Sequence, residues 1–263
     1  LWGRLQSSRR LVFRFFYFCI AAVITGWAVI KLWLWRPRVL VYAPDKYSKK
    51  YGCDFRLHLI YATLRAKKVP YLEVLHTPLG HEFIKNLFIR RRAAAYLDAL
   101  AWHQRGAQVP PPPVNDDSIP ELHRHFCRYV LACIVQFTGE SVRKIKFLNT
   151  ILKYSAVKVL LSVDDPRYTN ELIFACQKNN IKTYAFEHGH ITKYHAGWMN
   201  YGIPLGRTIS FGKLFVWNEY WQKALLKYSA TYNAANVEIG GELRPLHALP
   251  PSSTSHRNNP YSF

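Results

Sequence analysis

Three histidines, His188, His190 and His195, fall within eight residues, and Glu187 and Gly189 flank the first of them. This is the densest titratable cluster in the chain. An imidazole titrates near neutrality, and a glycine beside it lets a substrate approach the backbone, so His188 suits removal of a proton from an acceptor hydroxyl. Glu187 would orient that ring or raise its basicity. Alternate histidines on an extended segment also suit a metal ion. A binuclear hydrolytic centre, however, wants a carboxylate between the second and third histidines, where this chain has Ile191, Thr192, Lys193 and Tyr194. Lys193 would repel a cation, so no metal is expected. Nucleophilic catalysis has less support, because there is no G-x-S-x-G elbow and no cysteine adjoins the histidines. Phosphate loops of the G-x-x-x-x-G-K-[ST] or G-x-G-x-x-G type are missing, and Gly240-Gly241 ahead of Arg244 gives only a faint anion-binding signal.

The elements that would position these residues follow from local pattern. Ile181–Phe186 reads as a buried strand running into Glu187. Val157–Val163 reads as another, closed by Asp164-Asp165-Pro166-Arg167, with a helix over Tyr168–Asn179 between the two. Such a crossover brings Asp164, Asp165 and Arg167 to the same carboxyl edge of a parallel sheet as Glu187, His188, Gly189 and His190. Upstream, Arg38–Ala43 and Val69–Leu75 read as strands around a helix over Asp54–Lys67, N-capped by Asp54. Helices are expected over His81–Gln104 and over Glu121–Tyr154, the latter with a break near Thr138-Gly139. Val109–Asp117 (VPPPPVNDD) is a stiff linker. Downstream, Lys213–Asn218 and Val237–Ile239 read as strands around a helix over Glu219–Tyr228. The pattern is α/β with a parallel sheet.

Composition bounds the partners. Thirty-six Lys and Arg against sixteen Asp and Glu give a formal charge of +20, which calls for an anionic partner: a membrane surface, nucleic acid or a phosphorylated substrate. The basic residues are spread along the chain with few aromatics between them, so no nucleic-acid platform is expected. The five cysteines form no C-x-x-C pair and read as reduced core thiols. Leu11–Trp35 is the most hydrophobic stretch. Arg9, Arg10 and Arg14 precede its charge-free part, Phe15–Ile30, Trp27, Trp33 and Trp35 crowd its far end, and the expectation is membrane association, spanning or lying in the interface.

The block FEHGHITKYHAGW resembles the His-Gly block of bacterial surface and capsular polysaccharide glycosyltransferases of GT-B type. The resemblance extends to DDPRYTNELIFACQKNNIKTYAFEHG upstream and to FGKLFVWNEYWQKALLKY and VEIGGELRP downstream. It implies a Rossmann-like parallel sheet, the N-terminal half of a GT-B fold, preceded by a hydrophobic helix and followed by a truncated second half. The segments it implies are a membrane-associated helix over 1–36, an acceptor-side domain over 37–206, the start of a second Rossmann-like domain over 207–245, and a disordered tail over 246–263. The implied activity is sugar transfer from a nucleotide-sugar donor to a cell-envelope polysaccharide or glycolipid acceptor, with no further cofactor, at the cytoplasmic face of the bacterial inner membrane. His188 matches the probable base of the related teichoic-acid glycerophosphotransferases, and Glu187 stands where the family more often has glutamine. Asp164, Asp165, Arg167, Gly189, His190, Tyr194 and His195 would bind substrate, and Gly240, Gly241 and Arg244 the donor. Transfer of glycerol phosphate or another phosphopolyol on the same fold is the alternative chemistry, and a non-catalytic basic protein for nucleic acid or lipid is the alternative class. With little chain beyond Pro245 for a nucleotide site, low activity of this stretch alone is expected.

Overall fold

The computed structural model describes residues 2–43, 48–75, 85–86, 95–97, 121–163, 169–187, 196–199, 208–241 and 243. Its frame is a sheet of six short strands: β1 (Val39–Ala43), β2 (Tyr71–Leu75), β3 (Val159–Ser162), β4 (Lys182–Phe186), β5 (Lys213–Val216) and β6 (Val237–Ile239). All are parallel, in the order β2-β1-β3-β4-β5-β6. Each coincides with an apolar run in the sequence. The helices are α1 (Trp2–Leu34), α2 (His58–Ala66), α3 (Glu121–Lys153), α4 (Asn170–Lys178), the short α5 (Ala196–Met199) and α6 (Glu219–Tyr228).

Burial explains the strand sequences. All five residues of β1 are buried, as expected of a central strand covered on both faces, and they are accordingly Val, Leu, Val, Tyr and Ala. In β3, β4 and β5 the buried residues alternate with partly buried ones, apart from the exposed Lys182 that opens β4. Leu160, Ala185, Leu214 and Val216 join Leu40 and Tyr42 in the main core, packed with Leu32 of α1, Leu148 and Leu152 of α3, Ile173 of α4 and Leu225 of α6. The opposite face holds a smaller cluster, in which Val39, Val41 and Ala43 meet Leu57 ahead of α2 and Ile60 and Tyr61 within it. Further along that face, Tyr184 and Phe186 of β4 lie against Phe215 of β5, with Phe186 and Phe215 stacked at 5.1 Å.

Asp54 caps the turn that enters α2, its carboxylate accepting from the Arg56 amide at 3.0 Å. The Arg56 guanidinium also donates to both oxygens of Asp54, at 3.0 Å and 2.6 Å. The pair is buried, at 0% and 4% exposure. Removing either partner would leave an uncompensated charge inside, so the pair fixes the entry to α2.

Several expectations need correction. No break occurs near Thr138-Gly139, because α3 runs unbroken from Glu121 to Lys153. A continuous helix over His81–Gln104 is not what forms: Ala95 lies beside β2, accepting from the Leu75 amide at 2.9 Å and donating to Glu73 at 2.8 Å. Of the five free cysteines Cys176 is buried in the core and Cys53 packs against the smaller cluster, whereas Cys19 and Cys133 are exposed. The segment expected to open a second unit at 207 supplies β5 and β6, which hydrogen-bond onto β4 in the same sheet. No helix among the described residues is long and apolar enough to cross a membrane. The Val109–Asp117 linker and the 246–263 tail lie outside the described residues.

Candidate active site

The chain runs outward from β1 to β2, returns to β3 on the other side of β1, and then proceeds outward to β6. The switch point therefore lies between β1 and β3, and in open parallel sheets ligands bind beyond the carboxyl ends of the strands at such a point. The candidate residues issue from this edge. Ser162, which ends β3, is in register with Ala185 of β4, so the chain leaves these two neighbouring strands at the same level of the edge. Asp164, Asp165, Arg167, His188, Gly189, His190, Tyr194, His195 and Arg244 lie outside the described residues. Glu187, Gly240 and Gly241 are described.

Glu187 continues β4 by one residue and is locked to the end of β5. Its amide donates to the Phe215 carbonyl at 2.8 Å. Carboxylate Oε2 accepts from the Trp217 amide at 2.7 Å, and the Trp217 indole N–H donates to the Glu187 carbonyl at 2.9 Å. The residue is only 3% exposed, and its Oε1 is buried with no hydrogen-bond partner among the described residues. A carboxylate deprived of water is disfavoured in its charged form, so burial pushes the pKa up to about 7, partly opposed by the Trp217 amide. A carboxyl with one oxygen held and the other unengaged, titrating near neutrality, can give or take a proton at physiological pH. The sequence showed an acid at a strand end. It did not show Trp217, which holds that acid, although its place at the end of the KLFVWN strand marks it as an edge residue.

Two further positions share this edge. Asn170 begins α4, and its side-chain oxygen is buried with no hydrogen-bond partner among the described residues. Gly240 follows β6, and its amide donates to the Val216 carbonyl at 2.8 Å. A Cβ on Gly240 would stand 2.9 Å from the Phe215 Cβ, so close packing against β5 requires a glycine there. Gly241 has φ +75°, a conformation that glycine adopts without steric cost. The glycine pair thus has a structural reason at the strand end, whether or not an anion binds it.

No family model, curated protein or solved structure matches the chain. The reading of the site therefore rests on its residues.

Proposed function

We propose that the protein is a glycosyltransferase that moves a sugar from a nucleotide-sugar donor to a cell-envelope polysaccharide or glycolipid acceptor. The observation that carries this reading is Glu187. It is a buried carboxyl with one unengaged oxygen and a pKa near 7, at the carboxyl edge of a parallel sheet and next in sequence to His188. On this reading His188 takes the proton from the acceptor hydroxyl, and that oxygen bonds to the anomeric carbon as the carbon's bond to the donor phosphate breaks and the nucleotide leaves. Glu187 sets the protonation state beside it. Asp164, Asp165 and Arg167, from the next strand end, bind hydroxyls and charge on the substrates, as do Gly189, His190, Tyr194 and His195. Gly240, Gly241 and Arg244 lie toward the donor phosphates. The sheet is then the acceptor-side half of a two-half GT-B enzyme at the cytoplasmic face of the membrane, and a second half would supply most of the nucleotide contacts.

The test is transfer by the protein as its gene encodes it, from a panel of nucleotide sugars to an extracted envelope acceptor. His188→Ala should lower turnover by about a hundredfold or more, the range for loss of a general base, with donor binding retained. Unchanged turnover in that variant would remove His188 from the mechanism. Cytidine-diphosphate polyols belong in the same panel: turnover with them alone would replace sugar transfer by phosphopolyol transfer. Salt-sensitive binding to DNA or RNA with no turnover of any donor would place the protein in a different class.

A further inference from the structure

Helix α1 is apolar on two opposite sides, and among the described residues only one of them is covered. Ala21, Thr25, Ala28 and Leu32, spaced as one helical stripe, are buried against the domain. The opposite stripe is Phe16, Cys19, Val23, Trp27, Ile30 and Leu34, all exposed; Val23 reaches 72%, Trp27 57% and Leu34 74%. It runs for about 27 Å at 1.5 Å per residue. A helix that is hydrophobic all round is ordinarily buried in protein or in lipid.

We infer that this outer stripe lies in the plane of an anionic bilayer surface, with α1 flat against the domain on one side and in the lipid interface on the other. Crossing the bilayer would pull Ala21, Ala28 and Leu32 off the sheet and open the core, so this stretch can meet lipid only sideways. Charge selects the occupant. Helix α1 carries Arg4, Arg9, Arg10, Arg14 and Lys31 and no acidic residue, on a chain of net charge +20. A second copy bearing the same charge would be repelled from this face, whereas anionic headgroups attract it. Lys31 supports the same depth. Its ammonium lies 5.6 Å from the Trp27 ring and 5.3 Å from the Trp35 ring, an arrangement in which the stem follows apolar surface and the head reaches the polar boundary. Tryptophans beside a basic residue are characteristic of the interfacial layer.

This inference rests on the membrane location proposed above and is independent of the transfer chemistry. The test uses the full chain and vesicles of phosphatidylcholine with or without about 30% phosphatidylglycerol. Binding is expected to the anionic vesicles, with extraction by alkaline carbonate. Val23→Glu with Ile30→Glu should weaken it by about tenfold or more at unchanged thermal stability, since both positions are exposed. The milder Val23→Ser with Ile30→Ser should weaken it less and serves if the glutamates impair folding. Unchanged binding by both double variants would overturn the assignment of the outer stripe while leaving membrane association standing. Resistance to carbonate extraction would overturn the in-plane arrangement. Absence of vesicle binding together with self-association abolished by the same variants would overturn both, and would give the stripe to a second copy. Loss of transfer with vesicle binding intact would count against the chemistry alone.

Discussion

Glu187 has a pH signature that separates its chemistry from its structural bonds. Its folded pKa is about 7 against an ordinary value of 4.5. Between those values the native state holds a proton that the unfolded chain has released, so stability falls as pH rises through this window and levels off above it. The shift corresponds to roughly 3 kcal/mol. Glu187→Gln retains an oxygen to accept from Trp217 and removes the titration. The variant should therefore match wild type near pH 4 and exceed it by up to roughly 3 kcal/mol at pH 8, measured by urea unfolding. Its pH–rate profile should also lose the limb near pH 7. A variant no more stable than wild type at pH 8 would mean that Oε1 is solvated or paired in solution. The acid and the neighbouring imidazole were legible in the sequence because both sit where a strand pattern stops. The clamp from Trp217 was not, because it joins residues that only the β4–β5 pairing brings together.

At the level of elements, the six strands were legible because each is a short apolar run bounded by turns or polar residues. Helix α3 was harder. Gly139 suggested a break, yet a single glycine costs a helix interior only about 1 kcal/mol, which neighbouring turns outweigh. Among the described residues nothing lies within 4 Å of where its Cβ would be. Gly139→Ala should accordingly stabilise the protein by about 0.5–1 kcal/mol, seen as a raised unfolding midpoint in urea. Gly240→Ala should act in the opposite direction. Its new Cβ would press on Phe215 at 2.9 Å and 3.3 Å, and loss of about 1–3 kcal/mol is expected from overpacking. Phe215→Leu in the same background keeps the Cβ contact at 2.9 Å and removes the ring, so it should restore only the part of the loss caused by the ring atom at 3.3 Å. Ala95 falls inside the helix expected over His81–Gln104. Its two backbone hydrogen bonds to β2 take it out of a helix, since helix propensity is a weak term beside specific pairing.

For the molecule as a whole, the class was legible and the assembly was not. Strand and helix alternation implies a parallel sheet, but nothing local in Lys213–Val216 or Val237–Ile239 says whether they extend an existing sheet or begin another. The answer lies in pairing to β4, a contact remote in sequence. The same remoteness governs how the chain comes together. β1 is the second strand of the sheet and wholly buried, yet its two neighbours differ greatly in sequence distance: β2 follows closely, and β3 begins only at Val159. On a ribosome adding about 5–20 residues per second, several seconds pass between completion of β2 and arrival of β3. Through that interval one edge of the most apolar strand stands open, a template for any other extended chain. Yield in heterologous expression should thus be limited by events during synthesis rather than by the stability of the finished fold, and slower translation at lower temperature would lengthen the very interval that does the harm.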